Sequence, residues 1–505
     1  MHITLPRPVY LVQKALHDAG FEAYLVGGCV RDTIMERPLK DWDVATNAKP
    51  SEVQTLFPDH FCENDFGTVG VKMQKDADGS VGDGNDTSEK MVVEVTTYRT
   101  EFGYSDSRRP DRVEFVATLE EDLRRRDFTM NAIGVKIIAI SQESSEESKQ
   151  IICEAEITDP FFGSQDIHNK IIRAVGNPEE RFEEDALRLM RAVRFFAELG
   201  FSIETETLDA IRNASSRIAH IAHERVRAEF ERILMSDHPS EGIQMLQKTG
   251  LLHFIIPELE EGIGMTQNLH HTYTVWEHNL KALETCPSKK LEVRLAALLH
   301  DVAKPRTKRG EGKYATFYNH DHVGGRMTGA ILRRMRFPQS VVEKAALLVD
   351  QHLFYYNVDE VTEAAVRRVI ARVGLENIQD LIDVRIGDRL GSGVPKAKPY
   401  RLRHFEYMVE KVSKDPISVK QLKINGNDIM RNLSLPPGPK IGTILEVLLG
   451  EVIEDSSKNT KVFLMQRAQE LSLQEVEALR ETAKRRIALE QKAEEDMIKR
   501  KYWVQ

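Results

Sequence analysis

The sequence predicts an α+β fold: an N-terminal head built on a small mixed β-sheet with helices, followed by units that are helical throughout. Three observations carry this. Short apolar or alternating runs at 24–26, 66–73 and 91–98, bounded by glycine and polar turns, read as strands. From Asp159 onward apolar residues recur at helical spacing. A chain of 505 residues also exceeds one core, so roughly three or four units are expected. The divisions read from these changes are 1–158, 159–262, 263–400 and 401–505.

Composition is that of an ordinary globular protein, and no apolar run approaches the length of a membrane helix. The first twenty residues read as an amphipathic helix without the apolar core of a signal peptide. Cys29, Cys62, Cys153 and Cys286 are scattered without paired spacing. That pattern fits a reducing cytoplasm and argues against a zinc module. With a net charge of −9, any nucleic-acid partner needs a local basic surface.

The head is organised around residues 24–43. An apolar strand runs into Gly27-Gly28, where the backbone can approach a ligand, and a helix opens behind the glycines. Its free N–H groups suit a phosphate, and Arg31 one turn later adds a fork of donors. Asp41 and Asp43 alternate around Trp42, so on a strand both carboxylates face one side. Crowded carboxylates repel unless a cation lies between them, which points to Mg²⁺ beside a phosphate site, the equipment of two-metal phosphoryl transfer. A surface acidic pair on a plain strand-turn-helix is the bland alternative.

A helix start is expected near Lys49-Pro50, with Ser51 as N-cap. The strands at 66–73 and 91–98 pair across an Asp/Gly/Ser-rich tip at 76–90. Glu94 alternates with Val93 and Val95; it is either a third carboxylate beside Asp41 and Asp43 or a solvent-facing residue. Residues 100–110 read as a flexible loop and 141–150 as a second exposed tip. In RRDFTMNA (125–132), Arg126 can hold a triphosphate and Asp127 can accept from ribose hydroxyls, although charge runs are mostly solvated faces.

The second unit centres on one helix spanning 183–196, with Leu187, Met190, Val193 and Ala197 on its core face. Asp185 and Arg188, three apart, then project together, and Arg191 and Arg194 continue at that step. Such a pair is commonly an intrahelical ion pair. It also has the acceptor–donor order that matches the Watson–Crick edges of C and A and clashes with those of U and G. The helix around Glu224 to Phe230 reads as structural.

LVGGCVRD (25–32), DWD (41–43), RRDFTMNA and EDALRLMRAVRF (184–195) occur in this order with sensible gaps. Together they resemble the class II tRNA nucleotidyltransferase/poly(A) polymerase family, of the DNA polymerase β nucleotidyltransferase superfamily. The resemblance implies a polymerase-β-like head that adds CCA to the tRNA 3′ end from CTP and ATP. It implies that Gly28 and Arg31 contact the nucleotide, and that Asp41 and Asp43 hold the metals. Arg126 and Asp127 would meet triphosphate or ribose. Asp185 and Arg188 would be the base-reading template, with Glu184 bracing it and Arg191 and Arg194 near the phosphates. Loop 100–110 corresponds to the loop tied to the switch from C to A addition. The alternatives are a bacterial poly(A) polymerase and a phosphohydrolase whose head only binds RNA. The strand Phe66-Gly67-Thr68-Val69-Gly70-Val71 is similar to the CCA-adding branch.

Histidines cluster from residue 270 onward: His270, His271, His278, His300, His320, His322 and His352. His300-Asp301 follows an apolar helix at 291–299, and imidazole with carboxylate suits a divalent metal. His271 with Val275, His300-Asp301, His320, His352 and Asp388 resemble the HD phosphohydrolase superfamily. That implies His271, His300, Asp301 and Asp388 as ligands, His320 and His352 as candidates for a second metal, and Mn²⁺ or Ni²⁺ as possible occupants. The unit serves either as an active hydrolase or as an all-α body for the tRNA arm. Gly438-Pro439 opens a helix suited to a backbone phosphate, and 480–502 reads as a solvated charged helix. Tail residues 401–505 are expected to bind tRNA, and oligomeric state is not legible.

Overall fold

In the computed structural model the described residues are 1–39, 41–62, 67–74, 90–102, 112–116, 118–143, 150–267, 272–354, 356–358, 361–393, 396–413 and 418–476. The tip at 76–89, most of the loop at 100–110, positions 144–149, His270, His271 and the helix expected at 480–502 lie outside them. The chain divides into two compact units, Met1–Pro257 and Glu258–Gln505.

Among the described residues the first unit opens with the strands β1 (His2–Pro6), β2 (Ala23–Val26), β3 (Asp43–Thr46), β4 (His60–Cys62), β5 (Thr68–Gln74), β6 (Lys90–Thr97), β7 (Arg99–Phe102), β8 (Arg112–Phe115), β9 (Gly134–Glu143) and β10 (Gln150–Thr158). β7 and β8 form a separate hairpin; the other eight make one sheet in the order β1-β10-β9-β2-β3-β6-β5-β4. Its pairs are antiparallel except β3 with β6, where Asp43 sits opposite Glu94 and Thr46 opposite Thr97. Alternation explains the burial: Val93 and Val95 of β6 are fully buried while Glu94 between them is half-buried. Val26, Ala45, Tyr98, Leu119, Leu123, Ala132 and Val175 form a buried hydrophobic cluster of this unit.

Two local expectations are corrected. The first twenty residues are not one helix: β1 pairs with β10 and the helix Arg7–Asp18 follows. Ile3 and Leu5 alternate into the core, and Pro6, which lacks an N–H, forms the extended boundary. Ser51 is not the N-cap of the helix Pro50–Leu56; Lys49 holds that place, and its N–H donates to Glu52 Oε2 at 2.7 Å.

Beyond the sheet the first unit is mainly helical, apart from a parallel pair between Ile171–Ile172 and Ser202–Ile203. The helix Leu187–Leu199 packs on the helices His223–Met235 and Pro239–Lys248, with Leu187, Met190, Val193 and Ala197 buried as the 3.6-residue period requires.

The second unit is helical. The helices Val275–Thr285, Leu291–Leu299, His320–Arg334, Gln339–Asp350 and Ile378–Gly391 pack together, and Leu291–Leu299 ends at His300. The helix Ile378–Gly391 comes unusually near its neighbour. A Cβ on Gly387 would lie 2.6 Å from Ala282 O, and one on Gly391 2.8 Å from Ala282 N. Asp388 lies between these glycines. A smaller core around Ile424, Ile429, Ile444, Leu448 and Leu464 unites the helices Gly426–Leu433, Pro439–Glu454 and Lys461–Ser472.

Candidate active site

β2 ends at Val26 and the chain turns through Gly27, whose φ of +77° is open chiefly to glycine. A Cβ there would also lie 3.0 Å from Arg126 Nη1 and 3.2 Å from Asp43 Oδ2. The turn therefore brings bare backbone against a cation and a carboxylate. Gly27→Ala is expected to lower the activity of this site about tenfold or more, while strain in its sparsely populated backbone region costs about 1–3 kcal/mol of stability. Comparing kcat with the unfolding midpoint checks this. Gly28 opens the helix Gly28–Ile34, and Arg31 within it is buried. Its Nη1 donates to Asn131 Oδ1 at 2.9 Å, and Nε and Nη2 fork onto Asp32, also at 2.9 Å.

Asp43 begins β3 half-buried, and Asp41 stands exposed two residues earlier, across the buried Trp42. Glu94 is Asp43's register partner on β6, and its backbone N–H donates to Trp42 O at 2.9 Å. Side chains of aligned residues on neighbouring strands share a face, so Glu94 and Asp43 stand side by side. This all-oxygen donor set suits a hard divalent cation such as Mg²⁺.

Arg126 and Asp127 follow the helix Leu119–Arg124. Buried Asp122 accepts from Arg125 at 2.8 Å and from Arg126 at 3.2 Å, which aims both guanidiniums. Asp127 Oδ1 accepts from Phe128 N at 2.9 Å and Asn131 Nδ2 at 3.1 Å, while Oδ2 accepts from Arg191 at 2.6 Å. Burial alone would raise the Asp127 pKa, but Arg191, Asn131 and Arg188 outweigh it and hold the carboxyl below its usual range. Asp127 is thus a permanent acceptor, with Oδ1 taken by two N–H groups and Oδ2 shared with Arg191. The ring of Phe195 is the hub for three guanidiniums: Arg194 at 4.1 Å, Arg31 at 5.0 Å and Arg191 at 5.5 Å.

The single helix expected over 183–196 is interrupted. The helix Pro178–Glu184 ends at Asp185, which is extended, and the next helix begins at Leu187. The break has a polar cause, since Asp185 Oδ1 takes the otherwise orphaned N–H of Leu187 at 2.9 Å. Asp185 and Arg188 consequently find different partners. Arg225 reaches Asp185 Oδ2 at 3.0 Å, whereas Arg188 is held by Glu184 at 2.7 Å and by the carbonyls of Arg181 and Arg125 at 3.1 and 2.9 Å. Arg194 is engaged from below. It is buried against Glu229 at 2.8 Å, and burial together with the Arg191 cation lowers its pKa to about 10.

Most of these groups line one cleft of about 840 Å³: Gly27, Gly28, Arg31, Asp41, Asp43, Arg126, Asp127, Asp185, Arg188, Arg191 and Arg194. Glu94 is not among its lining residues. Sequence reading missed Arg225, Asn131 and Phe195, which also line it. The NA after RRDFTM was a usable signal for Asn131; nothing local marks Arg225.

A second cluster lies in the other unit. His278 Nε2 is 2.9 Å from His300 Nε2 and 3.3 Å from both Asp301 Oδ2 and Asp388 Oδ1. His320 Nε2 is 3.2 Å and His352 Nε2 3.9 Å from Asp301 Oδ1. His300, His320 and His352 each turn Nδ1 to a backbone carbonyl three residues earlier, at 2.8, 2.6 and 2.6 Å. With Nδ1 donating, each presents an Nε2 lone pair inward, the tautomer a metal needs. His320 Nε2 is buried without a hydrogen-bond partner, so a lone pair and a carboxylate converge at a place suited to a cation. Lys304, 2.5 Å from Asp301 Oδ2, and His300 hold that carboxyl ionised against its burial. His278 takes a place in the cluster that the sequence did not assign to it.

The family profile "Poly A polymerase head domain" matches residues 23–173, and "Probable RNA and SrmB- binding site of polymerase A" matches 200–263. "HD domain" matches 268–391 and "tRNA nucleotidyltransferase domain 2 putative" 397–468. A CCA-adding enzyme of Lactiplantibacillus plantarum is 33% identical over 453 residues, covering 90% of this chain and 93% of the relative. The chain belongs to the CCA-adding enzyme family. A second relative, an A-adding tRNA nucleotidyltransferase of Deinococcus radiodurans, is 34% identical over 382 residues, 71% of this chain and 82% of that one. Among solved structures, the Bacillus stearothermophilus CCA-adding enzyme in complex with CTP aligns with a TM-score of 0.63 and 27% identity, over 92% of this chain and 98% of that one. Families with these head and HD domains generally use divalent metals, and His278, His300 and Asp301, or Asp301, His320 and His352, are grouped closely enough to hold one.

Proposed function

We propose that this enzyme completes tRNA 3′ ends by adding CCA from CTP and ATP, releasing pyrophosphate. The observation that carries the reading is the single cleft uniting the Gly-Gly turn, the Asp41/Asp43 pair and the Asp185/Arg188 group. Asp41 and Asp43, with Glu94 beside them, would hold Mg²⁺. Bound there, Mg²⁺ would supply Lewis-acid stabilisation of charge on attacking and leaving oxygens. Arg126, aimed by Asp122, binds the triphosphate, and Arg31, anchored by Asn131, flanks it. Asp127, kept ionised by Arg191, accepts from ribose. Asp185 accepts from the exocyclic amino group of C or A, and Arg188, braced by Glu184, donates to the ring edge beside it. Arg191 sits between these groups, and Arg194 supports them through Phe195.

Extension of a tRNA ending at its discriminator base tests the reading. Two additions with CTP alone, and a terminal A only when ATP is also present, are expected. Long A tails from ATP alone would identify a poly(A) polymerase. Addition of A only to a CC-ended tRNA would place the enzyme with its A-adding relative.

A second reading rests on the histidine–aspartate cluster: a phosphohydrolase centre loaded with Mn²⁺ or Ni²⁺ on His278, His300, Asp301 and Asp388, with His320 and His352 completing a second position. The inward Nε2 lone pairs support it. Asp301→Asn is expected to abolish metal-stimulated phosphomonoesterase activity while tRNA extension persists, the two activities being measured side by side. We assign the chain to the cytoplasm, in keeping with the tRNA substrate proposed above and the CCA-adding relatives. Among the described residues no helix is long and apolar enough to cross a membrane. The divisions 1–158, 159–262, 263–400 and 401–505 serve as a working domain map.

A further inference from the structure

The helix Tyr400–Val412 turns Leu402, Phe405, Met408, Val409 and Val412 inward. Its outer face is aromatic rather than simply polar. Tyr400 is 62% exposed and Tyr407 58% exposed, and half-buried His404 stands between them at positions i, i+4 and i+7. Ring centroids lie 5.8 Å apart from Tyr400 to His404 and 5.9 Å apart from His404 to Tyr407. Tyr356 bonds His404 Nδ1 through its hydroxyl, and the Phe354 ring lies 4.7 Å from that of Phe405 beneath. These contacts hold the ladder rigid without covering it. Single exposed hydrophobic residues are ordinary on a surface; a contiguous row of rings is not.

The surrounding charge says what such a row meets. Lys396, Lys398, Arg401 and Arg403 are all exposed, and the only acid between 396 and 407 is Glu406, which Lys398 pairs at 2.6 Å. Among the described residues no ion pair engages Lys396, Arg401 or Arg403. Cations alternating with exposed rings suit a polyanion that also offers flat π faces, because each stacked base brings a phosphate with it. On a protein whose net charge is −9, this is a local reversal of sign.

We propose that Tyr400, His404 and Tyr407 form a stacking platform for unpaired bases of the tRNA substrate, with Arg401 and Arg403 holding the adjoining phosphates. The proposal rests on the tRNA-directed reading above and deepens it by naming a surface that recognises the RNA apart from the nucleotide cleft. Paired stems hide their base faces, so the platform distinguishes loop or single-stranded bases from duplex.

The test is fluorescence anisotropy of the full chain with a labelled tRNA lacking CCA and, separately, a fully paired RNA duplex. Y400A/Y407A is expected to weaken tRNA binding about tenfold or more and leave duplex binding unchanged, since stacked bases contribute strongly and paired ones are inaccessible. Y400F/Y407F keeps the rings and is expected to bind as the wild type does. R401A/R403A should weaken both RNAs and flatten the salt dependence. Both tyrosines are exposed, and circular dichroism melting confirms that the variants fold. Equal tRNA affinity of Y400A/Y407A and wild type overturns the platform, whatever protein partner that face then meets; so does an equal loss on tRNA and duplex. Extension assays run in parallel keep the readings apart, because a wild-type chain that binds tRNA but adds no nucleotide overturns the catalytic reading alone.

Discussion

Asp43→Ala is expected to reduce nucleotide addition about a thousandfold or more, because the several kcal/mol that metal ions contribute to phosphoryl-group charge stabilisation would go with their ligand. Asp41→Ala should behave alike, and it gives the cleaner experiment. Asp41 is exposed, so its removal leaves no cavity, and stability should change by no more than about 0.5 kcal/mol. Single-turnover extension with CTP, beside thermal melting, separates chemistry from folding. Activity within tenfold of wild type in both variants would remove the acid pair from the reaction. Glu94→Gln provides the graded comparison: Glu94 is aligned with Asp43 across β3 and β6 but does not line the cleft, so a smaller loss is expected.

Asp185→Asn is expected to change which nucleotide is used more than how fast any is used. The substitution keeps an oxygen for the Leu187 N–H, preserving the helix start, and places an amide donor where the carboxylate accepted. CTP should lose ground to UTP by about a hundredfold, since mispairing a buried polar edge is where such sites obtain their discrimination. The readout is the ratio of kcat/KM for CTP and UTP, which a merely structural lesion would leave unmoved. Arg225→Ala is a useful companion. It releases Asp185 Oδ2 without touching the template acid, and a fall in selectivity there would assign Arg225 a positioning role.

Much of the site was legible because its chemistry is written in local spacing. The Gly-Gly turn before a short helix and His300-Asp301 at the end of an apolar helix follow from local turn chemistry and a period of 3.6 residues, whereas Asp41 and Trp42 precede the strand that begins at Asp43. Periodicity misled where a polar contact overrode it. The helix expected around the apolar pattern at 187–197 reaches back to Glu183, yet the chain breaks at Asp185 because its carboxylate captures the Leu187 N–H. It misled again at the N-terminus, where Ile3 and Leu5 answer strand partners, Cys153 and Ile151, that no local pattern announces.

Local spacing along the chain was enough to establish the core side of the helix Leu187–Leu199 and the histidine–aspartate step at the end of Leu291–Leu299, whereas Asp41 precedes the strand that begins at Asp43. Which faces meet was settled by packing alone. Arg31 with Asn131, Arg191 with Asp127, Arg225 with Asp185, and His278 with Asp388 are partners across 40 to 110 positions of chain. The last of these depends on two glycines, Gly387 and Gly391, whose missing side chains let one helix approach Ala282 of another. Helical and strand periods orient a side chain relative to its own element, whereas packing at van der Waals distance orients the elements relative to one another.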